Sequence, residues 1–188
     1  MKRLVMLTLL TASTALIAQS QTKFPAPDKS PMDVSYFPDN YPILKVQNKI
    51  TDVPACRVLY SRPLKNGRQV YGELVEFGKV WRLGANEATE LELYRDGRVA
   101  DKKIKKGRYS MFAIPYADKW TIIINKDTDV WGAFQYDESK DVARFEVKTE
   151  KLSAPSEAFT MFFDKGNKNS TNLIIAWDDV KTTIPFSF

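Results

Sequence analysis

Hydrophobic and polar residues alternate along most of the chain after residue 43, with the two-residue period of a β-strand. Leu44 and Val46 begin this alternation between polar neighbours, and the segment 143–147 repeats it. No segment from 43 to 188 carries an apolar stripe at helical spacing over three turns. The pattern therefore predicts strands and no long helix, with the first strand near Leu44.

Three runs are apolar on both faces of a strand. They are Met111–Ile114, Ile122–Ile124 and Leu173–Trp177. A strand of this kind is covered on both sides, because each of its faces has to be removed from water. We expect these three runs to be central strands.

Turn-forming residues separate the predicted strands. Asn66-Gly67, Asp96-Gly97 and Lys165-Gly166-Asn167 each stand between strand-like segments. Asparagine, aspartate and glycine tolerate positive φ, so each group is predicted to join two strands as a hairpin. About ten short strands with turns at this spacing are typical of an antiparallel sandwich. We predict an all-β fold, with a single antiparallel, jelly-roll-like β-sandwich domain over residues 43–188.

A proline-rich segment precedes this domain. Residues 21–42 contain five prolines and no glycine. Proline has no amide hydrogen and a fixed φ, which excludes a helix or a central strand here. The segment also holds Val34, Tyr36 and Phe37, apolar residues that a free linker does not need. We predict an extended arm that is flexible at its start and packs on the domain from about Ser30.

The first 20 residues have the three parts of a secretory signal peptide. Lys2 and Arg3 are positive, an uncharged apolar run follows, and Ala18 and Ser20 are the small residues that a signal peptidase recognises. The alternative is a membrane anchor, but the run is shorter than the roughly 20 residues that a span requires. We predict cleavage after Ser20 and export to the periplasm or the extracellular space, with no transmembrane segment left afterwards.

Composition excludes several kinds of chemistry. The chain has no histidine and one cysteine among 188 residues. It therefore lacks a histidine-based catalytic triad, a histidine-rich zinc site and an internal disulfide. A net charge of +5 is small for a nucleic-acid-binding protein. We predict no cofactor, no metal ligands and no nucleic-acid partner, and we expect Cys56 to be a buried strand residue.

Six sequence stretches carry a resemblance to a known family. They are Ser30–Pro38, Tyr60–Pro63, Val80–Thr89, Gly107–Ser110, Trp120–Ile123 and Trp131–Gly132. Together they resemble a family of exported bacterial proteins catalogued as domain of unknown function 2911, and the resemblance covers nearly the whole chain after the signal peptide. It implies export and a single β-rich domain, and it implies no reaction.

The segment Trp81–Thr89 is the first candidate binding site, because it combines an aromatic ring with several unlike polar side chains. Arg82 can bind a carboxylate or a phosphate with two hydrogen bonds, and Asn86 and Glu87 can contact hydroxyl groups. The alternative is structural. In that case the charged side chains pair internally, the asparagine caps a turn and Trp81 fills the core.

Arg62 and Trp131 extend the candidate site. Arg62 precedes a proline at which strand pairing is expected to end, although an arginine in this position is commonly a paired surface residue. Trp131 lies in the turn-like segment Asp129–Gly132, where exposure is compatible with its neighbours, whereas Trp120 and Trp177 lie in apolar strands. An exposed tryptophan ring can stack on a sugar.

The leading hypothesis is a non-catalytic binding module for a small polar, anionic or carbohydrate ligand, or for an envelope protein. A second hypothesis is a hydrolase of envelope or extracellular polymers that uses Glu87 and Asp178 as paired carboxylates. A third is a structural component of the envelope. Asp127 with Asp129, or Asp178 with Asp179, can also converge on calcium, although neither pair has the glycine pattern of an EF-hand. The sequence does not specify an oligomeric state.

Overall fold

The computed structural model describes residues 22–188 as a nine-stranded sheet. The predicted signal peptide and its cleavage after Ser20 lie outside the described residues. The strands are β1 (Met32–Phe37), β2 (Cys56–Ser61), β3 (Thr89–Leu93), β4 (Gly97–Val99), β5 (Lys102–Ile104), β6 (Gly107–Pro115), β7 (Lys119–Asn125), β8 (Asp141–Phe163) and β9 (Ser170–Ser187). One short helix, α1 (Tyr41–Val46), and a 3-10 turn at Glu138–Lys140 complete this part of the chain. The predicted all-β class is confirmed.

The long strand β8 connects two layers of the sheet. The strand order is β1-β2-β3-β6-β7-β8-β9-β4-β5, and every pairing is antiparallel. The 23 residues of β8 pair with β7 up to Lys148 and with β9 from Thr149 onward. The first layer therefore consists of β1, β2, β3, β6, β7 and the first part of β8. The second layer consists of the second part of β8 with β9, β4 and β5.

The apolar core lies between these two layers. Val58 and Met111 from the first layer belong to the same buried cluster as Phe159 and Ile175 from the second. Burial of this shared surface drives the layers together. A second connection lies beyond β2, where the Phe159 N–H donates to the Pro63 carbonyl oxygen at 2.9 Å. The predicted antiparallel sandwich is confirmed by this arrangement.

Two of the three runs predicted to be central strands are covered on both faces. Residues 111–113 in β6 and 122–124 in β7 are all buried, and only Ile114, at the end of the first run, is partly buried. In β9, however, Ile174 and Ala176 are only partly buried, so this run has one fully covered face. The outer face of β6 and β7 is covered by a loop described below, whereas the outer face of β9 is only partly buried at this run.

The proline-rich arm contributes an edge strand. Its residues 32–37 form β1, which pairs with β2 at one end of the strand order. Next to it, the prediction of a strand near Leu44 is wrong, because the structure has α1 there. The exclusion of a helix is also wrong at the end of the proline-rich segment, because α1 begins at Tyr41 and has Pro42 in its first turn. Proline favours the first turn of a helix, where its missing amide hydrogen costs nothing. Cys56 is a fully buried strand residue, as predicted, and burial raises the pKa of its thiol.

The three predicted hairpins have different outcomes. Lys165-Gly166-Asn167 joins β8 to β9, which pair, so this prediction is confirmed. Asn66 and Gly67 both have positive φ, but no strand follows them before β3, so the hairpin predicted there is wrong. Asp96-Gly97 leads from β3 to β4, but these two strands pair with other strands and not with each other, so the hairpin predicted there is also wrong. Turn chemistry therefore reverses the chain locally, while long-range burial selects the strand partners.

Candidate functional site

The segment Trp81–Thr89 is fixed to the strands on either side of it. The backbone of Trp81 exchanges two hydrogen bonds with Ala113 of β6, at 2.7 and 2.9 Å. The Ser61 hydroxyl of β2 accepts from the Ala85 N–H at 2.8 Å and donates to the Ala85 carbonyl oxygen. These contacts satisfy the backbone of an irregular segment and hold it rigidly in the wall of the sandwich.

Trp81 fills the core. Its side chain is only 7% exposed, and its ring lies 5.3 Å from that of Phe159 and 6.1 Å from that of Trp177. The indole N–H donates to the Gly84 carbonyl oxygen at 3.2 Å. A tryptophan that is packed and hydrogen-bonded in this way cannot stack on a ligand.

Arg62 is engaged within the protein. Its guanidinium donates to the Asp33 carboxylate at 3.0 Å and to the Thr160 hydroxyl at 3.1 Å. The Tyr60 hydroxyl donates to the same Asp33 oxygen at 3.2 Å. The network ties β1 to β2 and β8, so it gives Arg62 a structural task.

Asn86 and Ala88 hold a second irregular segment. The Asn86 carbonyl oxygen accepts from the Gly132 N–H at 2.8 Å, and the Ala88 N–H donates to the Val130 carbonyl oxygen at 3.0 Å. Trp131 lies between these two bonds. The segment predicted as a binding site therefore supports a neighbouring loop that carries another candidate residue.

The two carboxylates of the hydrolase hypothesis lie in different places. Glu87 is exposed and lines a groove that also contains Arg108. Asp178 is buried, forms an ion pair with Lys65 and lines a separate cavity. The structure does not bring Glu87 and Asp178 into one cleft.

Residues 126–136, which we name the Trp131 loop, are tied together at their ends by the preceding residue, Asn125. Its amide donates to the Asp137 carbonyl oxygen at 2.9 Å, and its side-chain oxygen accepts from the Asp127 N–H at 2.8 Å. This closure gives the segment the compact form of an Ω-loop, a type of loop that frequently carries function.

The Trp131 loop has an inner and an outer side. Its inner residues Val130, Ala133 and Tyr136 pack on a small cluster formed by Phe112 of β6 and Ile123 of β7. The rings of Tyr136 and Phe112 are 5.3 Å apart. This packing covers the outer face of the two strands and explains why their apolar runs are buried on both sides.

The outer side presents aromatic rings to solvent. Trp131 is 61% exposed and Phe134 is 83% exposed. Between them Gly132 has a φ of +68°, and a Cβ at this position would lie 2.7 Å from the Phe134 ring. Glycine suits this position, because it allows both the positive φ and the close approach of the ring to the backbone.

Polar groups accompany these rings around a cavity of about 350 Å³, whose lining includes Asp127, Asp129, Gln135 and Asp137. A hydrogen bond from Arg108 lowers the pKa of Asp129, and hydrogen bonds from Ser139 lower that of Asp137. Both carboxylates are therefore ionised at neutral pH and can accept hydrogen bonds from hydroxyl groups.

The described residues provide no ligand cluster that would support the calcium hypothesis. Within residues 22–188, no group of three or more acidic, cysteine or histidine side chains is placed to hold a metal ion. Asp127 and Asp129 instead contact Lys140 and Arg108, and Asp179 contacts Lys151.

Arg82 lies half-buried beside Phe134, where it lines a cavity of about 290 Å³. Its Nε atom is buried without a hydrogen-bond partner. Among the charged candidate residues, Glu87 and Arg82 have no ion-pair partner within residues 22–188. Glu87 is exposed to water, whereas Arg82 is half-buried.

Sequence reasoning found Trp131 but missed Phe134, Gln135 and Asp137. A signal was present, because the segment 132–136 has two aromatic residues close to a glycine. The pattern identifies a structured loop, but it does not tell which of the rings faces solvent.

These features define an all-β sandwich protein with an aromatic-rich surface loop and, in residues 22–188, no helix long and apolar enough to cross a membrane. A family model described as "Protein of unknown function (DUF2911)" matches residues 42–186, and the chain belongs to this family. Comparisons with curated proteins and with solved structures find no match.

Proposed function

We propose that the protein is an exported, non-catalytic carbohydrate-binding module, and that its site is the Trp131 loop. The observation that carries the proposal is the Trp131 ring, which is 61% exposed at a cavity that also contains carboxylates and an amide. Indole has a broad apolar face that suits the C–H face of a sugar ring. The polar side chains around it can bind the sugar hydroxyls and fix their orientation.

The rigidity of the loop supports this function. Hydrogen bonds to Asn86 and Ala88 hold the backbone on both sides of Trp131, and the packing of Tyr136 on Phe112 anchors the loop to the sheet. A site that is formed before the ligand arrives loses less conformational entropy on binding. The predicted signal peptide supports the assignment of the module to an exported protein.

The separation of Glu87 from Asp178 favours binding over hydrolysis. Hydrolysis of a glycosidic bond by two acids requires both carboxylates to flank that bond, about 5 to 10 Å apart. Here the two acids line different cavities, and the Asp178 carboxylate is paired with Lys65.

Tryptophan fluorescence tests the proposal directly. The other three tryptophans are buried, so a sugar-induced change in emission reports on Trp131.

We expect the purified protein to bind members of an immobilised glycan array, and Trp131→Ala to weaken that binding about tenfold or more. Phe162→Ala is the matched control, because Phe162 is also a half-exposed aromatic residue but lies away from the loop. Equal binding by wild type and Trp131→Ala would refute the proposal.

A further inference from the structure

Arg82 differs from the other arginines in the described part of the chain. It has no ion pair, no side-chain hydrogen bond and no aromatic ring beneath its guanidinium among residues 22–188. The others each have at least one such partner: Arg57, Arg62, Arg68, Arg95, Arg98, Arg108 and Arg144. A half-buried cation without a partner is costly, because its lost hydration is not replaced.

The surroundings of Arg82 form a second cavity beside the Trp131 loop. Leu74, Val80 and Phe134 supply apolar walls, while Lys79 adds a second positive charge and Glu76 one negative charge. Neither Lys79 nor Glu76 forms an ion pair in the described residues. Glu76 therefore does not neutralise Arg82, and the guanidinium remains available to an anion from outside. Burial lowers the pKa of Arg82, but an arginine remains protonated at neutral pH.

Phe134 joins this cavity to the one at Trp131. Its exposed side chain lines both cavities, and its ring lies against the backbone of Gly132. A ligand stacked on Trp131 and Phe134 can therefore extend toward Arg82 without leaving the protein surface.

We propose that the ligand is an acidic oligosaccharide, and that Arg82 binds its anionic group in a subsite next to Phe134. This inference rests on the proposed function of the Trp131 loop. The planar guanidinium of Arg82 suits the two oxygens of a carboxylate or of a sulfate, with which it forms paired hydrogen bonds. The acidic group replaces the partner that the protein itself does not provide.

A glycan array with neutral, uronate-bearing and sulfated members tests the proposal. Arg82→Gln should weaken binding of acidic glycans about 10- to 100-fold, because it removes charge-assisted hydrogen bonds. Arg98→Gln is the matched control, because it removes the same charge from the exposed surface of β4. The uronate-bearing and sulfated members show which acidic group the subsite accepts. Added salt should weaken acidic binding and leave any neutral binding unchanged.

Glu76→Gln provides a second test that does not depend on the stability of an Arg82 variant. Glu76 is exposed, and its carboxylate repels an anion in the same cavity, so its removal should strengthen acidic binding a few-fold. Thermal melts of each variant separate a folding defect from a binding defect.

The outcomes separate this inference from the proposed function. If wild type binds only neutral glycans, or if Arg82→Gln binds acidic glycans as tightly as wild type, the Arg82 subsite is refuted while the Trp131 site stands. If wild type binds no glycan at all, the proposed function fails, and the inference fails with it.

Discussion

Two short segments of this protein share the dipeptide Val-Trp but have opposite surroundings. Val80-Trp81 and Val130-Trp131 each place a valine before a tryptophan in an irregular stretch, and both valines pack against the same cluster around Phe112. Trp81 is 7% exposed and belongs to the core, whereas Trp131 is 61% exposed.

The depth of each segment in the fold explains the difference. Trp81 pairs with Ala113 of β6, so its segment lies level with the sheet and its ring points between the layers. The Trp131 segment lies above the sheet and covers Phe112 with its valine, which leaves the next side chain facing water. A common local pattern therefore serves stability in one place, and we propose that it serves binding in the other.

Replacing each tryptophan with alanine should give the largest contrast. Trp81→Ala removes a large side chain from the core and should lower the free energy of unfolding by about 3–5 kcal/mol. Trp131→Ala should change it by less than about 0.5 kcal/mol, because the ring is mostly in water. Denaturant titration of both variants measures the difference, and similar losses in the two would contradict our account of the segments.

The glycines of the two segments should give a smaller contrast. A Cβ on Gly84 would lie 3.0 Å from the Ser61 carbonyl oxygen at a φ of +137°, whereas a Cβ on Gly132 would meet the exposed Phe134 ring. Gly84→Ala should cost about 1–3 kcal/mol, because backbone cannot easily move away and the φ is strained.

Gly132→Ala should cost less stability, about 1 kcal/mol, because the Phe134 side chain can rotate away and only the φ strain remains. It should nevertheless weaken glycan binding by displacing that ring. Thermal melts and fluorescence titrations of the two alanine variants measure both effects, and unchanged glycan binding by Gly132→Ala would remove Phe134 from the site.

Lowering the pH should give the smallest difference between the Trp131 segment and the Trp81 segment. The hydrogen bond from Arg108 lowers the pKa of Asp129, so its contribution to the loop is fully present above the ordinary carboxyl pKa and is lost as pH falls through the lowered value. Acrylamide quenching of Trp131 should therefore be constant from pH 7 to about 4 and increase only in stronger acid. Buried Trp81 should show no such step, and a change in quenching above pH 5 would argue against this role of Asp129.

The strands were more predictable than the site. The apolar runs in β6 and β7 identify them from sequence because burial on both faces leaves no room for polar residues. The 23 residues of β8 were not recognisable as one strand, because the stretch 152–158 interrupts the alternation and contains a proline. At the site, Trp131 could be proposed from its turn-like neighbours, but the role of Asn86 depends on a contact with Gly132 that is distant in sequence.

The sharing of β8 between the two layers has a consequence for how the protein unfolds. Its first part belongs to one layer through β7, and its second part belongs to the other through β9. Neither layer can release this strand without depriving the other of a pairing partner. The sandwich is therefore expected to melt as one cooperative unit, in which surface loops alone open independently.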